Sequence, residues 1–226
     1  RYLCDVIEIP SFAQRAQPSR WHVTNIEFLN HAFEAYLRHA HGLLTISHAL
    51  GELLLPINAR VQVIPNYRNA EPLTVSNELR ERCQLRDDER LVVVISTVTS
   101  GFEVVLQAIA KLPANIHLAS IGKFAPPEYR NACMELAAEL GLEARVHWFD
   151  PVPYAALASF ASSGDVGLIV CDPAIPNNGI SLPNRIFDYM AASLPMCSPP
   201  IPDVARLIRA WDMGVIVDED SPAAWA

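Results

Sequence analysis

Lysine is almost missing from this chain: Lys111 and Lys123 are the only two among 226 residues. Acids outnumber bases, 25 Asp and Glu against 17 Lys and Arg, for a formal charge of −8. No basic stripe runs along the sequence, which argues against nucleic acid as the main partner. The five cysteines (Cys4, Cys83, Cys133, Cys171, Cys197) are scattered, odd in number and without a C-x-x-C pair. A disulfide framework is not indicated, and a reducing, cytoplasmic compartment is expected. No apolar run reaches the roughly 18–20 residues needed to span a bilayer. His31, His39 and His41 do not fall at the i, i+4 spacing of a helical zinc pair, and no metal site is expected from them. No G-x-G-x-x-G follows a strand pattern, and no P-loop or G-x-S-x-G occurs, which disfavours dinucleotide oxidoreductases, P-loop enzymes and serine hydrolases. The chain opens at Arg1 with neither an initiator Met nor a signal peptide, so it is expected to be a piece of something longer.

What is present is globular: 51% hydrophobic and 19% charged residues can build a substantial core. From residue 91 onward the pattern is regular. LVVVIS (91–96), IHLASIG (116–122), RVHWF (145–149), DVGLIV (165–170), PMCS (195–198) and GVIV (214–217) read as strands. Between them lie helical stretches, including 101–112, 126–141, 153–162 and 203–211. In 126–141 Tyr129, Cys133, Leu136, Ala137 and Leu140 share a face, and Gly141 sits where a C-terminal cap belongs. Short strands alternating with helices predict a parallel sheet covered on both faces, a doubly wound α/β domain. Upstream, YLCDVIEI (2–9), LLTIS (43–47) and VQVIPN (61–66) read as strands, the last broken at Pro65. Thr24 and Glu27 form a T-x-x-E capping box, predicting a helix that starts there with Ile26, Leu29, Phe33, Tyr36 and Leu37 on one face. Ser47 is expected to cap the helix after it, and the polar segment 66–78 is the candidate boundary.

In an open α/β sheet ligands bind beyond the carboxyl ends of the strands. The longest such loop follows DVGLIV and delivers the chain to SLPNRIFDYMAASLP (181–195). Ser181 is expected to cap this helix and Pro183 to occupy its first turn, leaving N–H groups near Leu182–Asn184 for a phosphate. Asp188 lies four residues beyond Asn184, on the same face and about 6 Å further along the axis. A carboxylate there could accept both hydroxyls of a ribose, although a lone acid near a helix start is also what the helix dipole favours in solvent.

The stretch NNGISLPNRIFDYMAASLP (177–195) closely resembles the nucleotide-sugar motif of family 4 glycosyltransferases with the two-domain GT-B fold, in the branch whose motif runs Ser-Leu-Pro-Asn. DVIEIPSF, AHGLLTISHAL, VIPN, RVHWFDPVP and ASSGDVGLIV follow in the order expected of that family. The resemblance implies two Rossmann-like domains. Residues 1–65 would be the C-terminal part of the acceptor-side domain, 66–78 the linker, and 79–226 the nucleotide-sugar-binding domain, truncated before its closing helix. It implies a retaining, hexosyltransferase-like transfer from a nucleoside-diphosphate sugar, with no metal and no other cofactor. The acceptor would be a glycan, a lipid-linked sugar or a small molecule, and membrane-surface association through an upstream half is compatible with it. Carried over by position, Asp188 would hold the donor ribose. Ser181, Leu182, Asn184, Arg185 and Lys123 would contact the diphosphate or sugar, and Phe149, Asp150 and Val152 would line the base pocket. No residue is singled out as catalytic. Few Lys with many Ala and Arg suggest a bacterial source.

Three places depart from the pattern. The loop STVTSGFE (96–103) carries Ser100 where a cation usually precedes the glycine, and no basic residue lies between Arg90 and Lys111. Ile7 stands where relatives often carry His, and Ile180 where another form of the motif has Glu. A second reading therefore stands beside the transferase: a catalytically impaired GT-B-like protein that binds a nucleotide sugar or a protein partner without transfer. A GT-B-type nucleotide-sugar epimerase fits less well, because the SLPN motif belongs to the transferase branch.

Overall fold

The structure, a computed structural model, describes residues 2–7, 9, 20–69, 71–171, 175–219 and 221–226, with backbone alone at 20–27 and 29. In chain order the elements are β1 (Leu3–Val6), α1 (Arg20–His39), β2 (Gly42–Thr45), α2 (His48–Leu54), β3 (Val61–Val63), α3 (Glu78–Arg82), β4 (Arg90–Val98), α4 (Phe102–Lys111), β5 (Ile116–Phe124) and α5 (Glu128–Glu139). They continue as β6 (Val146–Phe149), α6 (Tyr154–Ala161), β7 (Val166–Leu168), α7 (Pro176–Gly179), α8 (Arg185–Ala191), β8 (Met196–Ser198), α9 (Pro202–Trp211), β9 (Gly214–Ile216) and α10 (Pro222–Trp225). They form two compact units. The first comprises 1–66, 173–183 and 201–203, and the second 67–172, 184–200 and 204–226.

In the first unit β1, β2 and β3 make a parallel three-stranded sheet. Leu37, Leu43, Leu50 and Leu54 are buried against it, so α1 and α2 cover its apolar side. Ser47 caps α2 as expected, accepting from the Leu50 N–H, and its hydroxyl also donates to the Ile180 carbonyl. Asp203 accepts from the Ala49 N–H at 2.9 Å, which fixes the same end of α2. The capping box at Thr24 does not start a helix. α1 already begins at Arg20, so Thr24 and Glu27 lie inside it. The predicted face also splits, since Leu37 is fully buried while Tyr36 is exposed and stacks on Tyr2. Ile26 and Leu29 lie outside the described side chains.

The second unit is a six-stranded, all-parallel sheet ordered β6-β5-β4-β7-β8-β9. With β4 as its first strand the order reads 3-2-1-4-5-6, the doubly wound arrangement, whose strand direction of travel reverses between β4 and β7. The run LVVVIS becomes the central strand because it is buried from both faces, Val93 and Val94 being fully covered. β4 and β5 pair over nine residues, from Arg90 opposite Ile116 to Val98 opposite Phe124. On one face Phe102, Leu106, Leu118, Cys133 and Ala137 form the core, with Tyr129, Leu136, Leu140 and Trp148 packed against it. The predicted α5 stripe is thus the one that is covered, and Gly141 adopts φ +68 at its end. Burying a side chain such as Phe102 or Leu106 stabilises by roughly 1.5–3 kcal/mol. Among the described residues no helix is long and apolar enough to cross a membrane.

Candidate functional site

The site is built on α8, and Tyr189 holds that helix in place. Its ring is fully buried, and its hydroxyl accepts from the Ile95 N–H (2.9 Å), donates to the Leu168 carbonyl (2.8 Å) and lies 3.2 Å from the Val93 carbonyl. Those partners belong to β4 and β7, the two strands flanking the switch point. Burial pushes the phenol up to about 12. Gly167 on β7 makes room for the ring, since a β-carbon there would sit 2.5 Å from it. The fixed Tyr189 sets the rotation of α8, and the residue before it follows.

Asp188 is 7% exposed, one of the few buried acids among the described residues. It does not point into bulk solvent. Its Oδ1 accepts from Arg68 Nη1 at 2.8 Å, with both side chains about nine-tenths covered. Arg68 Nη2 donates to the Tyr154 carbonyl at 2.9 Å, and the guanidinium lies 4.2 Å above the Tyr154 ring. One residue earlier Tyr67 packs edge-on against Phe187, ring centres 5.0 Å apart. Two consecutive residues of the connecting segment thus mate with two consecutive residues of α8. Beyond Arg68 the segment lines a cavity of about 200 Å³ with Thr74, Ala155, Ser159 and Ala191. Sequence reasoning missed Arg68. Its one signal was being the sole cation in the polar stretch 66–78.

The other predicted residues are placed as follows. Arg185 opens α8 and donates from Nη1 to the Val170 carbonyl at 2.8 Å, just beyond the end of β7. Lys123 is exposed on β5 opposite Thr97, and among the described residues no hydrogen bond or ion pair reaches it. Asn184 is the residue before α8, but its side chain makes no capping bond. Ser181 does not cap α8 either. It lies three residues before that position, and its hydroxyl donates to the Asn178 carbonyl within the first unit. Pro183 accordingly precedes the helix rather than filling its first turn. Leu182 is buried. Phe149 is half-buried, edge-on to Phe160 with Arg82 above its ring. Asp150 is exposed and pairs with Arg130 at 3.0 Å, and Val152 is half-buried.

The loop after β4 leads to Gly101, whose φ of +76 suits glycine, and then to α4. The first N–H of that helix is already satisfied: Phe102 donates to the Tyr129 hydroxyl at 3.0 Å, which itself donates to Glu103 Oε2 at 2.5 Å. Burial, then the hydrogen bond to Glu103, raises the Tyr129 phenol. This end of β4 carries no cation, as its sequence indicated. Among the described residues no group of three or more His, Cys, Asp or Glu is arranged to hold a metal.

Sheet order, switch point and a helix pinned across it define a doubly wound, Rossmann-like α/β protein. Residues 89–226 match the family model of the group 1 glycosyl transferases, so the chain belongs to that family. Among solved structures it is similar to sucrose-phosphate synthase from Thermosynechococcus elongatus (TM-score 0.75, 18% identity), covering 98% of this chain and 56% of that one. It is also similar to WaaG, a glycosyltransferase involved in lipopolysaccharide biosynthesis (TM-score 0.68, 16% identity, 93% and 59% covered). A third is HepE from Anabaena, solved with UDP and glucose (TM-score 0.70, 15% identity, 97% and 58% covered). The chain thus spans less than two thirds of the length of each. At these identities the likeness shows the GT-B fold. No curated protein sequence matches the chain.

Proposed function

We propose that this chain forms the donor side of a retaining glycosyltransferase that takes sugar from a nucleoside-diphosphate sugar without a metal. The observation that carries this reading is Asp188: a buried, ion-paired carboxylate on the helix pinned across the switch point, at the motif position where the family resemblance places a ribose acceptor. An anionic oxygen accepting from hydroxyls makes a strong, short contact. HepE, one of the similar structures, was solved with UDP-glucose, which supports a nucleotide sugar as the ligand class.

In the proposed reaction the bond between the anomeric carbon and the diphosphate oxygen breaks, its electron pair leaving with the diphosphate. The acceptor hydroxyl bonds to the same face of the sugar and passes its proton to the leaving diphosphate oxygen. The developing charge on the diphosphate is what protein donors must stabilise. Arg185 is the residue best placed for this, beside the motif with one of its guanidinium nitrogens spent on Val170. Asn184 and Lys123 are secondary candidates, and Phe149, Asp150 and Val152 are assigned to the base. A glycan acceptor is proposed from the class of the family alone.

The test uses the full-length protein and a panel of nucleotide sugars, scoring slow donor hydrolysis and nucleotide binding. Asp188→Ala is expected to weaken nucleotide binding by roughly tenfold or more and to abolish hydrolysis. Unchanged binding in that variant would remove the basis of this reading.

A further inference from the structure

We propose that Arg68, at the start of the second unit, is a positioning residue of the donor site: it orients Asp188 to receive the ribose hydroxyls. This inference rests on the reading of Asp188 given above.

Asp188 has two oxygens and receives one donor. Arg68 Nη1 takes Oδ1 at 2.8 Å, and among the described residues nothing donates to Oδ2. The carboxylate and the guanidinium are covered together, so each is the partner the other has within reach. Arg68 is itself immobilised on three sides, by Asp188, by the Tyr154 carbonyl and by the Tyr154 ring beneath it. Tyr67 against Phe187 fixes the backbone that carries it. The result is an acid with one oxygen pinned and its second oxygen left for hydroxyl donors. A planar guanidinium can serve both Asp188 and the backbone of Tyr154 at once, which a point-charge ammonium does less well. Tyr154 begins α6, directly after the Phe149–Val152 stretch assigned to the base. Arg68 therefore ties the ribose acid to the base loop, so that both parts of a nucleoside meet one rigid frame.

The experiment measures binding of UDP, ADP and GDP, each beside its 2′-deoxy counterpart, to the 226-residue chain and to Arg68→Ala, Arg68→Gln, Arg68→Lys and Asp188→Asn. The wild type is expected to prefer a ribonucleotide over its deoxy form by about tenfold, the worth of one charge-assisted hydroxyl contact. Arg68→Ala and Arg68→Gln are expected to lose most of that preference, and Arg68→Lys to recover part of it, with far-UV circular dichroism unchanged. If Arg68→Ala does not fold, Arg68→Gln, which keeps the side-chain stem, carries the same test. A preference retained in the Arg68 variants but lost in Asp188→Asn overturns the positioning role and leaves the donor site standing. A preference retained in Asp188→Asn, or no binding of any of the three nucleotides to the wild type, overturns both.

Discussion

Tyr189 and Asp188 are neighbours that divide one task. The tyrosine fixes α8 on the sheet, and the acid is thereby held where Arg68 can reach it. Replacing Tyr189 with Phe keeps the ring and removes a hydroxyl that serves backbone groups of two strands. Leaving buried polar groups without a partner costs about 1–3 kcal/mol. Urea unfolding of Tyr189→Phe is expected to show a loss of that size with an unchanged m-value. Gly167→Ala should act on the same contact from the other side, driving a methyl into the ring and costing about 1–3 kcal/mol, read by the same titration. Asp188 stood out in the sequence as the one acid in an apolar helix, so its candidacy was legible there. Arg68 was not, because nothing in a local pattern tells which distant carboxylate a cation in a polar segment will meet.

At the scale of elements, the long β4–β5 pairing depends on a glycine. Gly122 faces Ser96 with φ +144, and a β-carbon there would lie 1.8 Å from the Ser96 carbonyl oxygen. Gly122→Ala is expected to cost more than about 3 kcal/mol or to force the strand ends apart, visible as lost amide protection in 94–98 and 120–124. At the other end of the same sheet His117 and His147 stack 3.1 Å apart between nitrogens, on β5 and β6. Burial lowers both imidazoles, and His117 lowers His147 further. Glu89 pulls His117 the other way, while Arg145 and Arg86 reinforce the lowering. The unfolded chain takes up protons as pH drops below 6.5, and the folded pair resists doing so. Stability is therefore fullest above that value and declines as pH falls toward the lowered folded range. Urea midpoints at about pH 7.5 and 5.5 should show this decline, and His147→Leu should lessen it. The strands and α5 were readable from alternation and helical spacing. The start of α1 and the cap of α8 were not, because T-x-x-E and S-x-P signal a cap only where the backbone actually turns into the helix.

For the whole molecule the two units interleave along the chain, since residues 173–183 and 201–203 belong with the first sheet. Ser47 reaches Ile180, and Ala49 reaches Asp203, within that first unit. Cutting at 66 would thus strip those residues of their partners although they lie far downstream. A fragment of 67–226 is expected to melt at least several degrees below the intact chain, as expected for a domain of this size losing about 2 kcal/mol or more, followed by differential scanning calorimetry. Equal melting temperatures would show that the first unit lends those residues nothing.

By itself the sequence determined the doubly wound α/β class, the glycosyltransferase character of the chain, and the candidate status of Asp188, because periodicity and a contiguous motif are local and survive on a string of letters. Only the tertiary structure decided that Arg68 holds Asp188, that Tyr189 locks α8 across the switch point, and that Ser181 is not its cap. Those facts depend on groups 21 to 120 positions apart being brought to hydrogen-bond distance, or on the turn of one backbone angle. Such meetings follow from packing the whole chain, which no short window of it contains.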